Sequence, residues 1–450
     1  MADKRLTQLV GGEAKEIGDR IYTEATALTD GRVLVDCDGS VITPTTYPLL
    51  EALLPNSVVM SEPYVVEASN GNTIADIVGT QVVRGSKLGV SNSGAYLCGS
   101  LDSHVLYYQN LATAAQAVSA TVAYGNSCVS DDGLIMLTAQ SNAAGSSDLL
   151  VRYTLDASST PPSASRTIES TDNMTAGAVT MMNADGSSAK IVCHNNSDLR
   201  LDTYNSGADV GAAYTLHAAY AYSNSPTSAI DWSWSDDLNT LAVCYTGTTD
   251  GLWISSNGGT TWTEDVVING LQPRSCAVDN SDVVYALAPS LAGRGGQEIY
   301  RTTDFGANMT LSLNAAEARN ALKQHGLSKV NFLKLFGGAG TSDVYCIGYA
   351  VVGAWTRNTG GHPLEHLCIW YSDDSGVTWS GQVVDFGLDP FFANSNESWT
   401  ETTGFAMSPD RSVLVITVET ATEYAMRWFD LSTGLALPFL PGYKIVADRP

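Results

Sequence analysis

Basic residues are scarce in this chain: 23 Lys and Arg stand against 47 Asp and Glu, a net charge of −24. A grip on phosphate backbones draws on clustered Lys and Arg. No basic patch or stripe occurs, so nucleic-acid binding is not expected. Long apolar runs are missing as well. None approaches the ~18 residues of a spanning helix, and the opening Met-Ala-Asp-Lys-Arg-Leu-Thr-Gln lacks the apolar core of a secretory signal. The expectation is therefore synthesis in a cytosol without membrane insertion. The eight cysteines include no CxxC pair. Cys98, Cys193, Cys244 and Cys346 sit inside apolar strand-like runs and read as small buried thiols, not as metal or redox groups. There is no Walker loop, no GxGxxG after a strand and no zinc-finger spacing, and no cofactor is implied.

What is abundant is turn punctuation. The chain has 41 glycines, and Ser, Thr, Asn and Asp cluster in short runs between apolar stretches, as all-β proteins require for tight turns. From about residue 90 one pattern recurs: a small polar turn, a short apolar strand, a second turn, and a strand ending in aromatics. The first strands of the units begin at Gly94, Gly133, Ser188, Asn239, Ser281, Ser342 and Arg411. A four-stranded propeller blade takes roughly 40–50 residues, so seven such units predict an all-β, seven-bladed β-propeller, with a pair of β-sandwiches as the alternative. A closed ring leaves few strand edges exposed. Two intervals are long. One holds residues 314–326, a predicted helix with Asn314 as cap, Glu317 three residues on and Gly326 as stop. The other holds a loop over residues 351–366. Both read as insertions on a rim of the ring, where such folds bind things.

Three units carry a sharper motif after the aromatic strand: Ser255-Ser-Asn257-Gly-Gly259-Thr-Thr261-Trp262, Ser372-Asp-Asp374-Ser-Gly376-Val-Thr378-Trp379, and the weaker Thr302-Thr-Asp304-Phe-Gly306-Ala-Asn308-Met309. They resemble the Asp-box of sialidase-like propellers, which closes the turn between the third and fourth strands of a blade. The chemistry suits such a turn. Asp or Asn bonds the turn amides, Gly accepts positive φ, and Trp packs beneath. The resemblance implies structural turns and no active site.

Residues 1–75 lack the repeat and are read as a small N-terminal α/β docking segment, with the propeller over residues 76–450. Within it, residues 33–54 run Val-Leu-Val-Asp-Cys37-Asp38-Gly39-Ser, then a polar turn, then Tyr47-Pro48-Leu49-Leu-Glu-Ala-Leu53-Leu. Residue by residue this is a short strand over 33–35, a tight turn at Asp38-Gly39, and a helix whose first turn takes Pro48 and whose apolar face is Leu49, Leu50, Leu53 and Leu54. The order and spacing resemble the phage tail-collar family, although Arg32 and Glu51 stand where that family has a large residue and a Phe. The resemblance implies a structural part of a virion.

Catalytic constellations are incomplete in the same residues. Sialidases need three converging arginines, and Arg84, Arg152, Arg200, Arg274, Arg301 and Arg427 are scattered without the Arg-Ile-Pro setting. His362-Pro-Leu-Glu365-His366 matches an inverted zinc-protease string, but that chemistry needs one helical face, and Gly360, Gly361 and Pro363 forbid it. Trp232, Trp234, Trp355, Trp370 and Trp379 read as core packing before sugar stacking. The expected protein is no enzyme. It is a structural or adsorption component of a tailed-phage virion, made in the host cytoplasm and forming homo-oligomers with other tail proteins as partners and a host glycan as receptor. The alternative is a propeller glycoside hydrolase, which requires two facing carboxylates at the ring centre.

Overall fold

The computed structural model describes the strands named below with their tight turns, and side chains chiefly within residues 89–98, 128–137, 231–263, 273–351, 367–383 and 405–416. The chain builds consecutive antiparallel meanders of four strands. Sheet I comprises Leu88–Val90, Tyr96–Leu101, His104–Gln109 and Gln116–Ser119, and sheet II comprises Ser127–Val129, Ile135–Gln140, Leu149–Asp156 and Ser163–Ser170. Sheet III takes Ala176–Met182, Ser188–Asn195, Asp198–Asn205 and Tyr214–Thr215; sheet IV takes Asp231–Trp234, Leu241–Tyr245, Gly251–Ser255 and Thr263–Glu264. Sheet V is Ser275–Val278, Val284–Pro289, Gln297–Thr302 and Thr310–Leu313, and sheet VI is Leu327–Gly337, Val344–Val352, Glu365–Ser372 and Ser380–Val384. Sheet VII has Gly404–Met407, Val413–Glu419 and Tyr424–Ala436.

The outer positions of sheet VII are filled from the other end of the chain. Tyr64–Val65 pairs with Arg427 and Trp428, while Asn56–Met60 and Val41–Ile42 pair with residues 431–436. The last strand, Phe439–Ala447, lies between Arg20–Tyr22 and Val33–Asp38 in a separate three-stranded sheet. The predicted strand over 33–35 thus extends to Asp38. The predicted helix after Pro48 lies outside the described residues.

The sheets pack face to face, and the period-2 geometry of a strand divides each one between two neighbours. In sheet V, Cys276, Val278, Val284, Ala286 and Tyr300 pack with Ala242, Cys244, Leu252 and Ile254 of sheet IV. The alternate residues Ala277, Tyr285, Leu287, Ile299 and Leu313 pack with Val330, Phe332, Leu335, Cys346 and Trp370 of sheet VI. Tyr345, Ile347, Tyr349 and Ile369 of that sheet then meet Phe405, Leu414 and Ile416 of sheet VII. Burial on both faces is why the strands read as unbroken apolar runs and do not alternate. The first strands of sheets I, II and III lie side by side, as do those of sheets IV, V and VI, and that of sheet VII lies against that of sheet I. This circular succession of meanders is β-propeller-like.

One turn recurs between first and second strands. Ser91, Ser130, Ser235 and Ser408 each accept, on the side-chain oxygen, the amide of Tyr96, Ile135, Thr240 or Val413 at 3.0–3.1 Å. Each returns its own N–H to the carbonyl of that same residue. Asp279 does the same for Val283 at 3.0 Å and also accepts from the Tyr285 hydroxyl. Gly94, Gly133 and Gly186 take positive φ in these turns, and Asp282 and Arg411 do so without being glycine. The turns also tie sheet to sheet: Ser93 N–H donates to Asp131 at 2.9 Å and the Thr240 hydroxyl to Asp282 at 2.5 Å. A Cβ on Gly94 would stand 2.9 Å from Ser412 Oγ and Val413 Cγ2, so this glycine seats sheet I on sheet VII. Gly296 also has positive φ, at +91°, but open space around it. Gly94→Ala is therefore expected to cost about 1 kcal/mol more than Gly296→Ala in urea unfolding, because only the former adds steric overlap to the left-handed penalty.

The helix lies between sheets V and VI as Ala315–Ala321. Asn314 accepts from the amides of Ala316 and Glu317, and Glu317 reaches back to the Asn314 N–H, completing the predicted capping box. It ends at Leu322, short of Gly326, which is outside the described residues. Leu322 is buried and Ala318 O accepts from Trp370 Nε1 at 3.0 Å, so the last turn of the helix packs on sheet VI.

Candidate functional site

The three motif turns join third to fourth strands in sheets IV, V and VI. In sheet VI, Asp374 Oδ1 accepts from Ser372 Oγ at 2.8 Å, Val377 N at 3.0 Å and Thr378 N at 2.8 Å, while Oδ2 accepts from Thr378 Oγ1 at 2.7 Å. Asp304 in sheet V repeats this with Thr302, Asn308 N and Asn308 Nδ2 at 2.7–2.9 Å. Gly306 and Gly376 donate to Thr302 and Ser372 at 3.0 and 2.9 Å, with φ of 91° and 73°. In sheet IV, Asn257 accepts from Ser255 Oγ at 3.0 Å and Thr261 N at 2.9 Å and donates to Thr261 Oγ1 at 2.8 Å. Gly259 is outside the described residues. The copy without Trp closes as the others do, since Asn308 supplies both donors that Thr378 supplies. Trp262 packs on Leu241 and Val243, and Trp379 on the core between sheets V and VI.

These turns sit at the same end of the sheets as the first-to-second-strand turns. Gly258 N–H donates to Asn239 O at 2.9 Å and Ser375 N–H to Ser342 O at 3.0 Å. The turn of sheet VI is also a latch on sheet V: Arg301 donates to Ser375 O, Ser312 Oγ donates to Gly376 O at 2.6 Å, and Trp379 Nε1 donates to Ser312 Oγ at 3.0 Å. All of this is structural chemistry. Burial alone would push the Asp374 carboxyl up, but the donors from Thr378, Ser372 and Val377 outweigh it and hold the pKa below the ordinary value. A folded pKa lowered from ~3.9 makes the turn's stability complete above that value and lost as pH falls through the folded one. Asp374→Ala should cost about 1–2 kcal/mol. Asp374→Asn, with Asn257 as its natural precedent, should cost less than about 1 kcal/mol and flatten the acid limb. Urea titrations at pH 7 and pH 3 would show this, and equal losses for both variants would refute it.

A different cluster, on the axial side, escapes the repeat motif. Asp231, Ser275 and Lys334 occupy the same level in the first strands of sheets IV, V and VI, each three residues before the last ladder pair. Asp231 Oδ2 accepts from Ser275 Oγ at 2.5 Å and from Cys276 N at 3.0 Å, and Oδ1 pairs with Lys334 Nζ. Ser275 Oγ accepts in turn from Leu335 N at 2.9 Å, and Ser233 Oγ from Val278 N at 2.9 Å. A first strand has no neighbouring strand on its axial side, so its amides need acceptors from elsewhere. Here the preceding sheet supplies them from side chains. Lys334 and Asp231 side chains are only 15% and 12% exposed. The axial carboxylate is thus tied into the joints between sheets.

The signal for this cluster was present in sequence, since Asp231 stands four residues before Ser235 just as Ser275 does before Asp279. Without knowing which strand is innermost, nothing distinguishes it from other polar strand residues. Cys37 and Asp38 of the collar-like motif end the strand Val33–Asp38, with Asp38 opposite Phe439. Gly39, Tyr47, Pro48, Leu49 and Leu53 lie outside the described residues. Trp370 is fully buried and Trp253 nearly so. Trp232 and Trp234 are half-buried against sheet IV, and Trp355 is outside the described residues. Glu365 and His366 open the third strand of sheet VI, not a loop or a helix. Cys98, Cys128, Cys244, Cys276, Cys346 and Cys368 are buried thiols that take part in no disulfide. Burial pushes the thiols of Cys98, Cys128, Cys244, Cys346 and Cys368 up, as inert core residues require. Among the described residues no three His, Cys, Asp or Glu side chains gather to hold a metal, and no helix is long and apolar enough to cross a membrane.

Meanders arranged in circular succession, with their turns latched at one end, define an all-β protein of β-propeller-like fold. No family model and no curated protein sequence matches the chain. Among solved structures, one described as YCF48 bound to D1 peptide is 12% identical with a TM-score of 0.47, covering 82% of this chain and 95% of that one. A chain of the mitotic checkpoint complex is 12% identical with a TM-score of 0.45 over 82% of this chain and 92% of its own. The oligogalacturonate lyase of Vibrio parahaemolyticus is 12% identical with a TM-score of 0.45 over 87% and 98%. Likeness at this level says nothing about activity.

Proposed function

We propose that this protein is a structural or adsorption component of a tailed-phage virion, a seven-bladed β-propeller with Asp-box turns and an attachment unit at the chain ends. The observation that carries the reading is the collar-like sequence over residues 33–54, whose strand Val33–Asp38 is built onto the last strand of the chain, apart from the meanders. The axial chemistry favours binding over hydrolysis. A glycosidase needs two carboxylates free to face a sugar, whereas Asp231 is committed to Ser275, Cys276 and Lys334. Function then lies in assembly: copies associate with tail proteins, and the face opposite the latched turns, where the longer connections emerge, meets a host-surface glycan. Net charge of −24 keeps such a protein soluble before assembly.

The test is the solution mass by light scattering, alone and mixed with tail proteins from the same genome. A defined oligomer, or a stable complex with one tail protein, is expected. A monomer indifferent to every tail protein, together with cleavage of a host polysaccharide, would replace this reading with the hydrolase.

A further inference from the structure

Every strand described before residue 66 pairs with a strand after residue 423. Arg20–Tyr22 and Val33–Asp38 flank Phe439–Ala447, and Ile445 stands opposite both Arg20 and Val35. Val41–Ile42 and Asn56–Met60 pair with residues 431–436 of Tyr424–Ala436, whose preceding residues 424–430 pair with Val413–Glu419 inside sheet VII. One continuous strand therefore runs out of the ring and into the terminal sheets. Among the described residues, the N-terminal strands pair with no strand from the first 420 residues other than through this C-terminal pair.

A strand satisfies its backbone only against a neighbour, and an isolated strand or hairpin is marginal in water. The neighbour of Arg20–Tyr22 and Val33–Asp38 is Phe439–Ala447, which is synthesised after all seven sheets. We propose that these N-terminal strands form only once the chain has been made through Phe439–Ala447, so that the attachment unit is a composite of strands from either side of the seven sheets and its presence reports a finished ring. A chain cut short before residue 439 has sheets I to VI but no central strand for the unit. Such a chain presents no attachment surface to a tail protein and is left out of assembly. Tyr424–Ala436 runs from its pairing inside sheet VII into pairing with Val41–Ile42 and Asn56–Met60, so these N-terminal strands are built directly onto that sheet. The docking role of the unit rests on the function proposed above. Its order of formation does not.

Hydrogen–deuterium exchange on the isolated chain, with no tail protein present, tests the proposal. Three proteins are compared: the full chain, a chain ending at Ala436, and the full-length Ile445→Pro variant, in which a central-strand amide and its ladder bond are removed. In both altered proteins, amides of residues 20–22 and 33–38 should exchange at least about 100-fold faster, while Val284–Pro289 in sheet V keeps its protection. Unchanged protection of residues 33–38 in either variant overturns the proposal. Loss of protection at Val284–Pro289 in both also overturns it, since the last strand would then belong to the ring's own core. Because no partner enters the measurement, its outcome is independent of whether a tail protein binds.

Discussion

Asp231→Ala should lower the stability of the protein by about 3–5 kcal/mol, the cost of leaving one member of a buried pair alone. The substitution strands the Lys334 ammonium and deprives Ser275 Oγ and Cys276 N of their acceptor, all within the joints among sheets IV, V and VI. The pair itself is a poor source of net stability, because desolvating two charges offsets most of their attraction. The double variant Asp231→Asn with Lys334→Met, which removes both charges but keeps an oxygen acceptor for Ser275 Oγ and Cys276 N, should accordingly recover to within about 2 kcal/mol of the wild type. Equilibrium urea unfolding at pH 7, read through the near-ultraviolet signal of buried Trp370, measures both. A single variant within about 1 kcal/mol of wild type would show that solvent reaches the axial side at this level. The comparison also bears on function: a catalytic carboxylate is replaced at the expense of activity, a joint at the expense of stability.

Gly337→Ala is the second large effect, about 3 kcal/mol or more, with failure to fold as its extreme. A Cβ at this position would fall on the carbonyl oxygen of Val278, in the first strand of the neighbouring sheet. A backbone atom of a strand held in its sheet's ladder cannot swing aside as a side-chain tip can. Gly337 still pairs with Val344 and is buried, so the glycine is there for closeness of approach and not for a turn. Expression in the soluble fraction and the urea midpoint, compared with Gly296→Ala, separate the two kinds of glycine. Wild-type stability for Gly337→Ala would mean that sheets V and VI stand further apart at this level.

Much of the architecture was legible in the residues. The polar turn before each apolar run is local chemistry: a Ser or Asp side chain replaces a ladder acceptor, and the next few residues reverse the chain. The helix after Asn314 was equally local, because a capping box needs only residues three apart. The motif turns, including the copy with Asn308 and Met309, are closed by groups within four residues of one another, so their hydrogen bonds are determined within the segment. Packing decided what the helix rests on, since Ala318 and Trp370 meet across distant sequence.

The amino-acid sequence by itself determined strands, turns and the repeat, since each depends on neighbours in the chain and on the preference of Ser, Asp and Gly for particular backbone shapes. The tertiary structure decided which strand is innermost, and hence that Asp231, Ser275 and Lys334 meet although they lie 44 to 103 residues apart. It also decided that the strands described between Arg20 and Val65 find their partners between Arg427 and Ala447. Strand pairing is carried by backbone groups that every residue shares, so a strand's identity does not name its partner. Only closure of the ring, which brings the two chain ends to the same place, makes that choice.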